Sequence, residues 1–193
     1  GKESDDYSVD VQVVCKVKDP DVLLGGKNKS FENQVALQTK DGKELSNATS
    51  EAKITAKKLE KTCVEANEKI TFTIKANQLG QTMPATSGET LKLIDQLSPT
   101  LILDMTSIRA VDAKNNKNVA IKTSFDTNTN TLSVEIPQDK AVTITYVATV
   151  NASPGEKVSF SNTAYWEKYP SSGGASVSKE DYSYTAGGTV TGG

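Results

Sequence analysis

The segment FSNTAYW, residues 160–166, is rich in the aromatic and β-branched residues typical of a β-strand. Strand side chains point alternately to opposite faces, so four of its residues share one face: Phe160, Asn162, Ala164 and Trp166. Three of the four are apolar, which predicts that this face is buried with Asn162 inside a core. A buried Asn side chain costs about 1–3 kcal/mol unless a partner meets it.

Two further segments each place one charged residue on an otherwise apolar strand face. In LKLIDQL, residues 91–97, Asp95 shares its face with three leucines, and in LEKTC, residues 59–63, Lys61 shares its face with Leu59 and Cys63. An unpaired buried charge costs several kcal/mol, and that cost vanishes if Lys61, Asp95 and Asn162 meet. A Lys amine, an Asn amide and a carboxyl group together can form an intramolecular isopeptide bond, so the sequence predicts a self-crosslinking module.

The sequence offers two candidates for the crosslinking lysine. Residues an even number of positions apart on a strand have the same parity and share one face. Parity with the apolar residues Leu59 and Cys63 points Lys61 inward, whereas parity with the apolar Ile54 would point Lys58 inward. Both patterns hold only if a bulge lies between them. We therefore predict Lys61 as the crosslinking lysine and keep Lys58 as the alternative.

The chain as a whole predicts an all-β fold, and short strands at this spacing are typical of a β-sandwich. Turn clusters containing Gly, Asn, Asp and Pro separate the segments. Asn47–Lys58, the nearest candidate for a helix, alternates and is predicted as strand. The predicted strands include Val9–Val17, Phe31–Leu37, Ile54–Leu59, Ile70–Ala76, Leu91–Leu97, Thr131–Ile136, Val142–Val150 and Phe160–Trp166.

An internal repeat predicts the domain organisation. VDVQVVCKV at 9–17 matches VTITYVATV at 142–150, and each run is followed by Phe-x-Asn, ending at Asn33 and Asn162. We expect 1–57 to be a partial or small β module resembling the C-terminal half of a preceding repeat, with Asn33 as the counterpart of Asn162. The crosslinked sandwich then occupies 58–186, and 187–193 is a Gly-rich linker.

Composition excludes several classes of function. The 193 residues carry 24% charged and 36% hydrophobic residues and a net charge of -2, which argues against binding nucleic acid. There is no apolar stretch long enough for a membrane span. Without histidine the chain lacks the commonest metal ligand and general base, so we expect no metal and no cofactor. Asp126-x-Asn128-x-Asn130 resembles the start of a calcium loop, but Pro137 replaces the closing Glu, which favours a polar turn.

The two cysteines, Cys15 and Cys63, each lie in an apolar stretch. They are either two buried free thiols or a disulfide. A disulfide would close a loop of about 48 residues, worth about 4 kcal/mol in the chain-entropy model. It would also require an oxidising compartment.

The segment from Lys58 to Val190 resembles the isopeptide-forming, Cna-A-like repeat domains of Gram-positive surface adhesins and pilins. The motifs that carry the resemblance, in chain order, are AKKLEKT (56–62), ITFTIKAN (70–77), LKLIDQLSPTL (91–101), LSVEIP (132–137), VTITYVATV (142–150) and FSNTAYW (160–166). The resemblance implies Ig-like β-sandwich modules in tandem, with Lys61 joined to Asn162 and Asp95 assisting as the catalytic residue. FENQVAL at 31–37 looks like the Asn strand of a preceding repeat.

The resemblance also implies a function and a location. Such domains form tandem repeats in cell-wall-anchored stalks, so we expect an extracellular, monomeric structural module whose partners are neighbouring repeats of the same chain. No LPxTG-type sorting motif is present, so wall attachment rests on the family alone. Phe72, Phe160 and Trp166 are expected to enclose the crosslink, which forms once and is not enzymatic turnover.

Two other functions stay open. A binding module would grip a host extracellular protein or a glycan, and its candidate residues are Tyr165, Tyr169, Tyr182 and Tyr184. An accessory β-sandwich domain of a secreted hydrolase is the third possibility, although no motif singles out a pair of catalytic carboxylates.

Overall fold

The computed structural model describes residues 10–55, 57–66, 69–83 and 88–183. These residues are almost entirely β-structure, as predicted, with a four-residue helix α1 (Pro20–Leu23) and a short 3-10 helix at Pro170–Ser172. The described strands are β1 (Lys29–Gln38), β2 (Glu44–Ile54), β3 (Glu60–Ala66), β4 (Lys69–Ala76), β5 (Leu91–Leu97), β6 (Leu101–Asp112), β7 (Lys122–Asp126), β8 (Thr131–Ile136), β9 (Val142–Val150), β10 (Lys157–Trp166) and β11 (Gly174–Ser183).

Strands β3 to β11 form a β-sandwich of two antiparallel sheets. One sheet has the order β3-β4-β9-β6, and the other has the order β11-β10-β5-β8-β7. Every second residue of β9 is buried, and the same alternation runs along β4, β8 and the second half of β10. The buried residues of both sheets belong to one hydrophobic cluster. The inward-facing positions predicted from parity therefore point into a single core between the sheets.

Six of the predicted strands are confirmed and lie within β1, β4, β5, β8, β9 and β10. The sequence interpretation missed β6, β7 and β11. The register of β6 against β9 shifts between Asp104 and Arg109, and this irregularity hides the alternation. β11 pairs with β10 at the edge of its sheet and is mostly exposed, so few apolar residues mark it.

Two predicted strands are wrong. Residues 10–17 lie outside any strand, and Val14 is 86% exposed, while Val9 lies outside the described residues. Since these residues have no ladder partner in the described part of the chain, the predicted match to β9 does not extend to structure. The segment predicted as Ile54–Leu59 also differs, because β2 ends at Ile54 and Leu59 precedes β3; Ala56 is not described.

The hairpin of β1 and β2 is a separate two-stranded sheet within the segment predicted as the first module. Its residues are almost all exposed. Asn33 is among them, whereas its expected counterpart Asn162 is buried. A second sheet covering the hairpin, which that correspondence requires, is not present in the described ranges. Residues 187–193, predicted as a linker, lie outside them.

The core of the sandwich extends across residue 57, the predicted domain boundary. The side chain of Asp19 accepts a hydrogen bond from the Asp21 amide (2.9 Å) and begins α1, which delivers Leu23 and Leu24 into the sandwich cluster. These two leucines are 2% and 1% exposed. The hydroxyl of Ser172 donates to the Pro20 carbonyl (3.3 Å) and holds the helix in place.

We expect Leu23→Ala to destabilise the sandwich even though Leu23 precedes the predicted domain boundary. Deleting a buried leucine side chain costs about 2–5 kcal/mol. Leu37→Ala is the matched control, because Leu37 is 61% exposed on the hairpin and its truncation should change stability by less than about 0.5 kcal/mol. Urea unfolding measures both variants. Equal unfolding midpoints would show that α1 is not part of the cooperative core.

Candidate functional site

The two sheets bring four polar side chains together in the middle of the core. Lys61 on β3 and Tyr146 on β9 belong to the four-stranded sheet, and Asp95 on β5 and Asn162 on β10 belong to the five-stranded sheet. In the register of β10 against β5, Asn162 lies opposite Leu97 and Ala164 lies opposite Asp95. Asp95 and Asn162 are therefore diagonal neighbours on one face.

Hydrogen bonds connect these four side chains. The Lys61 amine donates to Asp95 Oδ1 (2.7 Å) and to the Tyr146 hydroxyl oxygen (3.0 Å). The Tyr146 hydroxyl donates to Asp95 Oδ2, and Asn162 Nδ2 donates to the same hydroxyl oxygen (2.5 Å). Tyr146 thus contacts all three other groups through one oxygen atom.

The site is sealed from solvent. The side chains of Lys61 and Asp95 are 0% exposed, and Asn162 is equally buried. The Lys61 nitrogen lies 5.3 Å from the ring centre of Phe72 and 5.3 Å from that of Tyr146, close enough for cation–π attraction if the amine is charged. Phe72 stacks on Tyr146 at 5.3 Å and meets Phe160 edge to face at 6.3 Å.

Burial changes the protonation of the pair. Desolvation lowers the pKa of the Lys61 amine from its ordinary value, and the attraction of Asp95 only partly offsets this. Desolvation likewise raises the pKa of the Asp95 carboxyl, against the opposing effect of Lys61. Both shifts favour the neutral forms, a free amine beside a protonated carboxyl.

Geometry separates the two candidate lysines. Lys61 is buried and contacts Asp95, whereas Lys58 is exposed. The structure also brings Asp95 and Asn162 to the same cluster through Tyr146. Of the aromatic residues predicted to enclose the site, Phe72 and Phe160 pack around it, and Trp166 is buried further along the same face of β10.

Sequence reasoning missed Tyr146. The signal was present, because Tyr146 shares the inward parity of its strand neighbours Ile144 and Ala148 and carries the one hydroxyl of that inward row, Val142 to Val150. The parity rule that selected Lys61 would have selected it too.

Asp95 makes no hydrogen bond to the carbonyl oxygen of Asn162, the amide that it is expected to activate. Both carboxyl oxygens of Asp95 are occupied, one by Lys61 and one by Tyr146. Asn162 Oδ1 is buried without a hydrogen-bond partner among the described residues. The hydroxyl of Tyr146 therefore stands between the acid and the amide.

The remaining candidate residues have structural surroundings of their own. Cys15 and Cys63 are both free thiols, the first exposed and the second half-buried, so the disulfide is not formed here and the expected burial of Cys15 is wrong. The suggested start of a calcium loop is a turn in which Asp126 accepts from the Asn128 amide (2.9 Å). Asn130 donates to the carbonyls of Ser98 and Leu101, and the described residues contain no cluster of metal-ligating side chains.

Comparison with known proteins identifies the fold. No family model and no curated protein matches the sequence. One similar solved structure is the C-terminal domain of the Streptococcus pyogenes antigen I/II-family protein AspA. The alignment covers 80% of this chain and 55% of the AspA chain, with a TM-score of 0.51 and 11% identity. The chain has an Ig-like β-sandwich fold. At this identity the similarity concerns the fold alone.

Other similar structures belong to an adhesin and a pilin. The alignment with a collagen-binding domain from a Staphylococcus aureus adhesin covers 63% of this chain and 96% of the adhesin domain (TM-score 0.45, 13% identity). The alignment with the Corynebacterium diphtheriae major pilin SpaA covers 58% of this chain and 32% of the pilin chain (TM-score 0.41, 15% identity). Within the described residues, no helix has the length and apolar character that crossing a membrane requires.

Proposed function

We propose that this chain is a structural module of a Gram-positive surface adhesin or pilin-like protein, stabilised by an isopeptide bond between Lys61 and Asn162. The observation that carries the proposal is the convergence of an amine, a carboxyl and an amide in a core that excludes water. A cluster of this kind is costly to bury for stability alone, and its groups are those that the crosslinking reaction needs.

The environment supports the chemistry of amide exchange. An ammonium has no lone pair, and burial lowers the pKa of Lys61 toward the free amine that attack requires. The Lys61 nitrogen would bond to Asn162 Cγ, and the Asn162 nitrogen would leave as ammonia. Lys61 and Asn162 both contact the Tyr146 hydroxyl oxygen, which places amine and amide side by side. Each chain reacts once, so the module is not a turnover enzyme.

The bond would connect the two sheets of the sandwich. Lys61 lies on β3, at the edge of the four-stranded sheet, and Asn162 lies on β10 of the opposite sheet. The closed loop of about 100 residues is worth about 4–5 kcal/mol in the chain-entropy model. Under tension, a covalent link between the sheets would carry force that otherwise falls on the hydrogen bonds of the strands.

The proposed setting is extracellular, at the surface of the cell, with neighbouring repeats of the same chain as partners. An antigen I/II-family protein of Streptococcus pyogenes shares the β-sandwich architecture, and the resemblance of the sequence motifs to Gram-positive adhesin and pilin repeats supports this setting. The tyrosines that would bind a host protein give little support to a binding function, because a ligand-binding surface needs exposed side chains. Tyr182 is buried, Tyr169 is half-buried and Tyr165 is only 37% exposed, while Tyr184 lies outside the described residues.

Intact mass spectrometry of the purified, denatured protein tests the proposal. We expect a mass lower than that calculated from the sequence by one ammonia, and a proteolytic fragment that joins Lys61 to Asn162. Lys61→Arg should restore the full mass, since a guanidinium does not act as the nucleophile. Lys58→Arg is the matched control and should stay crosslinked.

Two results would reject the crosslink. One is an unmodified mass for the natural sequence, which would leave an uncrosslinked sandwich. The other is a fragment that joins Lys58 to Asn162, which would contradict the geometry around Lys61.

A further inference from the structure

The hydroxyl of Tyr146 has contacts that a proton-carrying group needs. It accepts hydrogen bonds from the amine that would attack (Lys61 Nζ, 3.0 Å) and from the amide nitrogen that would leave (Asn162 Nδ2, 2.5 Å). It also bonds to Asp95 Oδ2. Asp95 itself has no hydrogen bond to Asn162 in the described structure, since its two oxygens are engaged elsewhere.

We propose that Tyr146 is a catalytic residue of the crosslinking reaction and relays the proton from Asp95 to the leaving nitrogen of Asn162. This inference rests on the proposed isopeptide bond and adds the residue that completes its proton path. General acid catalysis requires a donor within hydrogen-bond reach of the atom that is protonated. The hydroxyl of Tyr146 meets that requirement at Nδ2.

The reaction balances with these groups alone. Lys61 Nζ, as the free amine, forms a bond to Asn162 Cγ, and the π electron pair of the carbonyl moves to Oδ1. In the neutral pair Asp95 carries its proton on Oδ2, so the hydrogen bond between Oδ2 and the Tyr146 hydroxyl runs from the acid to the hydroxyl oxygen, the reverse of its direction in the ionised pair. Tyr146 gives its own proton to Nδ2 and receives the one from Oδ2, while Asp95 Oδ1 takes a proton from Nζ. The carbonyl re-forms, the bond between Cγ and Nδ2 breaks, and ammonia leaves. Tyr146 and Asp95 end in their starting protonation states.

The surroundings hold Tyr146 in position and keep it protonated. The residue is 1% exposed, and its ring stacks on Phe72 with an angle of 28° between the planes. Desolvation, reinforced by the carboxyl of Asp95, raises the pKa of the Tyr146 hydroxyl well above its ordinary value. The hydroxyl therefore stays a neutral group that both donates and accepts.

Tyr146→Phe removes the hydroxyl and keeps the ring. Newly synthesised protein from a cell-free reaction is quenched in denaturant at successive times, and the crosslinked fraction is read from the intact mass. We expect Tyr146→Phe to crosslink at least about 100-fold more slowly than the natural sequence, within the range of general acid–base catalysis. Tyr182→Phe is the matched control, because Tyr182 is also 1% exposed and its hydroxyl has no partner among the described residues. It should crosslink at the natural rate.

A second readout separates catalysis from packing. In folded Tyr146→Phe protein, Lys61 should remain protected from a water-soluble acylating reagent, as mapped by peptide mass spectrometry. Slow crosslinking with Lys61 protected supports the relay. Slow crosslinking with Lys61 labelled would overturn the relay and assign Tyr146 to packing. If Tyr146→Phe does not fold, a fluorinated tyrosine at position 146 keeps the hydroxyl and changes its acidity. A changed crosslinking rate then supports the relay, and an unchanged rate overturns it.

The outcomes for the two proposals are distinct. If the natural sequence does not crosslink, the proposed function fails, and the role of Tyr146 fails with it. If the natural sequence and Tyr146→Phe crosslink at the same rate, the isopeptide bond stands and the role of Tyr146 is rejected.

Discussion

Asp95→Ala protein is expected to fold into the same sandwich and to keep the full mass of an uncrosslinked chain. Asp95 supplies the carboxyl that contacts Lys61 (2.7 Å) and Tyr146, so its removal leaves no acid to exchange protons with the amine. The buried Lys61 then folds as the free amine, which its lowered pKa already favours. Circular dichroism checks the fold and intact mass checks the crosslink.

A conservative variant and a control variant test whether the carboxyl group of Asp95 is responsible. Asp95→Asn keeps the shape of the side chain but lacks the acidic carboxyl proton, so it should also remain uncrosslinked. Asp104→Ala removes an exposed Asp on β6 and should crosslink fully. A crosslinked Asp95→Ala protein would contradict the catalytic role assigned to Asp95.

Lys61→Met is expected to lower the free energy of unfolding by about 4 kcal/mol or more. The variant loses the crosslink, which the chain-entropy model values at about 4–5 kcal/mol for a loop of about 100 residues. It also leaves Asp95 in the core without its amine partner, and removing one member of a buried pair is destabilising. Denaturant unfolding of variant and natural protein measures the difference.

A double variant separates the two contributions. Lys61→Met combined with Asp95→Leu removes the orphaned carboxyl along with the crosslink. Replacing both members of a buried pair by apolar residues is often neutral or stabilising, so the double variant should be more stable than Lys61→Met alone. It should still fall short of the natural protein by the contribution of the crosslink. A double variant as stable as the natural protein would show that the crosslink adds no stability.

Alternation of side chains was a reliable guide where a strand has one buried face. Lys61, Asp95 and Asn162 were each predicted inward from their apolar neighbours, and each is buried. The same rule failed at residues 10–17. A pattern of alternating valines there lacks partner strands among the described residues, and Val11 is 63% exposed. Pattern alone does not supply the neighbouring strand that a ladder needs.

The hairpin shows a second limit of pattern. Phe31-x-Asn33 matches Phe160-x-Asn162 in sequence, yet Asn33 is exposed while Asn162 is completely buried. The difference lies in the second sheet, which packs over β10 and leaves β1 uncovered in the described structure. Burial of a strand face depends on what is packed against it, and local sequence does not carry that information.

The sequence by itself determined the all-β class and the strand face on which Lys61, Asp95 and Asn162 lie, because side-chain parity is a local property of the backbone. The tertiary structure alone decided which strands oppose one another across the core. It therefore decided that Tyr146 lies between the amine, the acid and the amide, and that Leu23 completes a core whose strands begin after residue 57. These contacts join residues far apart in the chain, and they form only when the two sheets pack together.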